Sequence, residues 1–155
     1  MKSRRSFIKT GAAGAVALGA MGLLPLSHRL AVAGEIDKKA FTSKAVEQVL
    51  DALGARNAKP TTAIDIVAPP VAENGALVPV TVTSRIPNTE SIALIIDDNP
   101  NPLAAHVRIA AQGEPYVAQR LRIGKYTDIR VVVAANGEHY VATRKIKVTL
   151  SGCAG

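Results

Sequence analysis

The sequence predicts a mainly β protein, an immunoglobulin-like antiparallel β-sandwich of about seven strands with a helix before it and a C-terminal arm after it. Three observations carry that expectation. From Pro60 on, runs of Val, Ile and Thr alternate with Pro, Gly and Asn, the texture of short strands divided by tight turns. Roughly seven such runs fit into about 90 residues, the strand density of an immunoglobulin-type sandwich. Asn136-Gly137 falls between two of the runs, and that pair accepts the two positive φ angles of a type I′ hairpin.

Taken from the start, residues 1–33 read as an address. Ser3-Arg4-Arg5-Ser6-Phe7-Ile8-Lys9 follows the twin-arginine pattern, with Arg4 and Arg5 as its paired cations. A Gly- and Ala-rich apolar stretch runs from Gly11 to Leu26, and Ala31-Val32-Ala33 fits a signal-peptidase site with maturation at Gly34. The alternative is an uncleaved anchor, but the stretch falls short of the roughly 20 residues that span a bilayer. Arg29, beside the cleavage site, suits the twin-arginine route. The expected location is the periplasm, reached in folded form, with no stable membrane insertion after cleavage.

Residues 34–59 read as a helix and linker. Ile36, Ala40, Phe41, Val46, Val49, Leu50 and Leu53 recur at helical spacing over 36–53. Gly54 then closes the helix, and 55–60 connect it to the sandwich, 60–150. Strands are expected near 62–67, 77–84, 91–97, 105–111, 116–123, 127–135 and 138–149, with room for an interruption in the last. Pro79 argues for an edge strand or a bulge. The apolar run after Arg130, Val131 to Ala134, argues for a sheet centre. Turn signals separate the strands: Pro69-Pro70, Pro87-Asn88, Asn99-Pro100-Asn101-Pro102, Gly113 and Gly124.

Composition narrows the function classes. The chain has 155 residues, 19 basic and 12 acidic, for a formal net charge of +7. Five of the basic residues and none of the acidic ones fall in 1–33, which leaves 14 against 12, a net of +2, for the mature part. A nearly neutral domain without Trp suits neither nucleic acid nor an anionic membrane as partner. His106 and His139 lie on separate predicted strands with no ligand pattern around them, so no metal is expected. Asp97-Asp98, next to Asn-Pro-Asn-Pro, reads as turn chemistry rather than a calcium site. There is no phosphate loop and no nucleophile elbow, so neither a cofactor nor catalysis by the chain itself is expected.

Cys153 is different. It is the single cysteine, so no disulfide can form within the chain. It lies beyond the last strand pattern, among the small residues Ser151, Gly152, Ala154 and Gly155, which leave the sulfur accessible and the backbone mobile. Fully extended, Thr149 to Cys153 would carry the thiol roughly 15–18 Å from the sandwich, far enough to enter a deep pocket on another protein. The C-terminal carboxylate two residues on disfavours a thiolate, while Lys145 and Lys147 favour one. Activation is therefore expected from a partner's site. Two readings follow: a thiol that carries a group, or a non-catalytic interaction sandwich whose thiol cross-links to a partner chain.

Several of these segments occur together in one known family. The chain resembles SoxY, the sulfur-carrier subunit of the thiosulfate-oxidising Sox system. The resemblance rests on the twin-arginine leader, Ala72-Glu73-Asn74-Gly75-Ala76 running into Val78-Pro79-Val80-Thr81-Val82, the Asn99–Pro102 turn, Thr127-Asp128-Ile129-Arg130, and Lys147-Val148-Thr149 before a glycine-flanked Cys153. It implies an immunoglobulin-like sandwich paired with a second sandwich subunit, SoxZ. It also implies substrate attachment at Cys153 on a swinging arm, residues 151–155. The implied enzymes are a c-type cytochrome that joins thiosulfate to the cysteine, a hydrolase that releases sulfate, and a sulfane dehydrogenase. The carrier itself catalyses nothing. The family's ending is typically Gly-Gly-Cys-Gly-Gly; Ser151 and Ala154 depart from it, each adding a Cβ close to the thiol.

Overall fold

The computed structural model describes residues 33–149, with side chains from Lys38 onward. They belong to the second of two compact units, Ala31–Gly155; the first, Met1–Leu30, lies outside the described residues, as do Arg4, Arg5 and the whole of 150–155. Two helices, α1 (Ala33–Thr42) and α2 (Val46–Ala52), precede nine strands. These are β1 (Lys59–Pro60), β2 (Ile64–Val67), β3 (Val71–Ala72), β4 (Val78–Ser84), β5 (Thr89–Ile96), β6 (Leu103–Arg108), β7 (Tyr116–Leu121), β8 (Thr127–Ala135) and β9 (Glu138–Val148).

The strands form two sheets. The larger runs β1-β9-β8-β5-β6, with β3 also on β9, and the smaller runs β2-β4-β7. Alternation along each strand explains how they face one another. Val78, Val80 and Val82 of β4, Ile92, Leu94 and Ile96 of β5, and Ile129, Val131 and Val133 of β8 share one buried core with Ile146 of β9. At about 1.5–3 kcal/mol for each large aliphatic side chain, this core is the main source of stability.

The other face of the large sheet is also covered. Ala93, Ile95, Leu103 and Val132 pack there against Ala40 and Val49 of the helices, a second apolar core. Hence Ile92 to Ile96 is buried at every position, where a two-layer sandwich would show alternation.

The helical region differs from the single helix expected over 36–53. The chain leaves the helix at Ser43 and re-enters it at Val46. Thr42 Oγ1 donates to the carbonyls of Lys38 and Lys39 at 3.0 and 3.1 Å, and Ser43 Oγ to that of Lys39 at 2.8 Å. Hydroxyls that take up the last carbonyls of a helix compete with its continuation. The end of α2 follows expectation: Gly54 has φ 68°, and Ala55 N bonds Leu50 O at 2.7 Å while Gly54 N bonds Asp51 O at 3.0 Å, a Schellman closure.

Other expectations stand with small shifts. Asn136 and Gly137 both have positive φ, 54° and 73°, and join β8 to an uninterrupted β9. β8 lies between β5 and β9, in the sheet interior. β4 is the middle strand of the small sheet, not an edge. Pro79 is tolerated there because β2 pairs only with Thr81 to Ser84, so no strand on that side needs its missing N–H. The expected seven strands become nine through β1 and β3, two-residue pairings parallel to β9.

Candidate functional site: the root of the C-terminal segment

The residues singled out for function, Ser151, Gly152, Cys153, Ala154 and Gly155, lie outside the described residues. What the structure gives is the base that precedes them. β9 pairs antiparallel with β8 along its length, down to Ile146 opposite Thr127. Past that point β3 takes over in parallel register, Val71 beside Lys147 and Ala72 beside Val148. Lys147 N donates to Pro70 O and Thr149 N to Ala72 O, both at 3.0 Å. The chain is therefore held as far as Thr149, four residues before Cys153.

The Glu73-Asn74-Gly75 segment buttresses this clamp. Ala76 N donates to Asn74 Oδ1 at 2.9 Å, a local Asx turn. Gly75 O accepts from Ile123 N at 2.7 Å. A Cβ on Gly75 would fall 2.2 Å from Ile123 O and 2.8 Å from Val148 Cγ1. Only glycine lets the two backbones and the Val148 side chain close up here. The sequence marked this motif without a structural role, because the contacts that require glycine come from Ile123 and Val148, both remote along the chain.

The neighbouring loops are tied to the same end. Arg130 reaches from β8 to Asp97, with Nη2 to Oδ2 at 2.7 Å and Nε to Oδ1 at 3.3 Å. Its guanidinium is held above its ordinary pKa, first by that hydrogen bond, against the opposing effect of burial, with added attraction from Asp97, Asp128 and Glu47. Asp128 Oδ1 is buried with no hydrogen-bond partner among the described residues. Asn99 Nδ2 donates to Arg122 O at 2.8 Å, Asp98 N to Thr127 Oγ1 at 3.1 Å, and Lys125 Nζ lies 3.5 Å from Asp98. Asp97, read from sequence as part of a turn, is the anchor of this brace.

His106 and His139 lie on separate strands, β6 and β9, as expected, and both are half-buried. They line one cleft of about 360 Å³, with Leu53, Glu90, Ser91 and Arg108, on the helix-covered side of the large sheet. His139 is in one row with Ala134, Ser91 and Arg108 across β9, β8, β5 and β6, and His106 is two positions along β6 from Arg108, paired with Ala93. Their separation in sequence hid this. No group of three or more metal-ligating side chains exists among the described residues, and no described helix is long and apolar enough to cross a membrane.

The family profile for "Sulfur oxidation protein SoxY" matches residues 49–153, from inside α2 through the clamped root to Cys153. The chain belongs to the SoxY family. The sulfur carrier protein SoxY from Chlorobium limicola f thiosulfatophilum is similar to it at 39% identity and a TM-score of 0.58, over 64% of this chain and 94% of that one. A superoxide reductase (neelaredoxin) from Ignicoccus hospitalis shares the fold at 20% identity and a TM-score of 0.51, over 68% of this chain and 93% of that one. Comparison with curated protein sequences gives no match. A sulfur-carrier role in sulfur oxidation follows from membership of the SoxY family.

Proposed function

We propose that this SoxY-family chain works in the periplasm and carries sulfur covalently on Cys153. The observation that supports this best is the coincidence of two ends. The family match closes on Cys153, and the last backbone bond described between this strand and the sandwich is made only four residues earlier, at Thr149. The backbone of Cys153 is tethered to that anchor by four residue steps, about 14 Å of extended chain, with the side chain extending the sulfur a little further.

The chemistry follows from the family's partners. Thiosulfate joins the cysteine with formation of a sulfur–sulfur bond and loss of the thiol proton. The two electrons released go to a c-type cytochrome. Hydrolysis of the terminal sulfone then releases sulfate and a proton and leaves a persulfide on Cys153. A sulfane dehydrogenase oxidises that sulfur, or it is transferred onward. A SoxZ-like sandwich completes the carrier. The chain's own contribution is to present the sulfur and hold its tether.

Incubation with thiosulfate and the oxidising cytochrome is expected to shift the intact mass of the chain by one adduct, absent in Cys153→Ser. An unchanged mass, or a stoichiometric interchain disulfide as the only product, would overturn the proposal. Export is tested by Arg4→Lys with Arg5→Lys: the double variant should remain in the cytoplasmic fraction with residues 1–33 attached.

A further inference from the structure

The last pairing between β8 and β9 sets Thr127 beside Ile146. Lys147, Val148 and Thr149 lie past it, and their described backbone partners are β3 and the residue before it. Lys147 N donates to Pro70 O and Thr149 N to Ala72 O, both at 3.0 Å. Thr149 Oγ1 adds a longer bond to the Ala72 carbonyl at 3.4 Å. A strand of two residues has little hold of its own. This one is tied down by what surrounds it. Ala72 is buried in the main core, and Val148 packs against that core. Gly75 lies between the Val148 side chain and the backbone of the buried Ile123, whose N donates to Gly75 O at 2.7 Å.

The clamp decides where the tether of Cys153 begins. While it is closed, the last fixed residue is Thr149, four residue steps from Cys153, about 14 Å of extended chain. Once it is open, the anchor retreats to Ile146, seven steps from Cys153, and the extended length becomes about 24 Å. Nothing in the segment that bears the thiol has to change for its reach to change.

We propose that Gly75 is a positioning residue for sulfur loading. By admitting Val148 and the Ile123 carbonyl at close range, it holds the clamp shut and so fixes the reach of the Cys153 thiol from the folded body. A short tether keeps the thiol concentrated near the end of β9, and that concentration falls as the tether grows past the span it has to cover. The same length sets how deep a recess the thiol can enter. The role in loading rests on the carrier reading above; the reach itself can be measured without it.

The test shortens the segment and then releases its root. Deleting Leu150 and Ser151 leaves Cys153 two steps from Thr149 and should slow its loading by the thiosulfate-oxidising cytochrome by about tenfold or more. Adding Gly75→Val to the shortened chain moves the anchor back to Ile146, five steps away, and should recover about fivefold or more of that loss. A glycine with a structural role alone gives the reverse, because a destabilising substitution deepens the loss. Thr149→Pro in the shortened chain decides the matter should Gly75→Val fail to fold. It removes the N–H that Ala72 O accepts, adds no bulk at Gly75, returns the anchor to Lys147, and should also restore loading. Alkylation of Cys153 by iodoacetamide, which needs no recess, should be equal in every chain. In full-length protein, a nitroxide on Cys153, the single cysteine, should broaden amide signals farther from the end of β9 in Gly75→Val than in the parent. The proposal is overturned if the shortened chain loads like the parent, if neither substitution restores it, or if the nitroxide pattern is the same in Gly75→Val and the parent. A parent chain that takes up no sulfur, with the nitroxide difference present, upholds the reach and sinks the carrier reading.

Discussion

Gly75 illustrates how one residue's identity can be set by atoms far away in sequence. Its missing Cβ leaves room for the Ile123 carbonyl and the Val148 side chain. Gly75→Val should cost about 1–3 kcal/mol, the usual range for forcing extra atoms into a packed site, and lower the melting temperature by several degrees in a thermal scan. Asn136-Gly137 is the opposite case: its positive φ angles follow from local turn chemistry, so two letters of sequence sufficed. Glu138, just after that turn, offers a test of electrostatics. Hydrogen bonds from Lys59 Nζ at 2.5 Å and Tyr140 OH at 2.9 Å, the first the larger effect, hold its carboxyl below the ordinary carboxylate value. A depressed pKa stabilises the fold above the unfolded value and loses that contribution as pH falls through the folded one. A carboxyl NMR titration should find Glu138 low, and Lys59→Met should return it most of the way.

At the scale of elements, strand existence was legible and strand partnership was not. Alternation in Val78–Ser84 and the apolar run in β8 mark strands because burial imposes those patterns on the chain itself. β1 and β3 escaped notice because two residues carry no periodicity; only their parallel contact with β9 defines them. The helix break at Thr42-Ser43 had a signal, two adjacent hydroxyl residues able to bond the preceding turn, that apolar spacing alone overrode. The β3–β9 clamp yields a direct prediction. In hydrogen-exchange NMR the Lys147 and Thr149 amides should be protected like those of β9 proper. Gly75→Val should speed both while leaving amides of the β5–β8 ladder slow. Equal protection in the variant would mean that Gly75 does not hold the clamp.

The folded body is three layers rather than the two a sandwich implies. Helical spacing announced the helices but not their berth, because Ile92 to Ile96 reads equally as a buried sandwich strand or as one covered on both sides. Val49, fully buried against the large sheet, reports on that layer. Val49→Asp would bury an unpaired charge; it should detach the helices, reduce helical circular dichroism and expose an apolar face to dye, with the strand signal retained. Cys153, the proposed carrier residue, stood out in the sequence, but the base that precedes it did not, since the clamp and the glycine buttress depend on segments that meet only in three dimensions.

Sulfur, on this reading, is held beyond the folded body on one thiol. The decisive measurement is tandem mass spectrometry of the proteolytic peptide containing Cys153, taken after loading with thiosulfate and the oxidising cytochrome. A sulfur adduct on Cys153 with an unmodified sandwich is the expected result. A Cys153 peptide that stays unmodified while thiosulfate is turned over would contradict it.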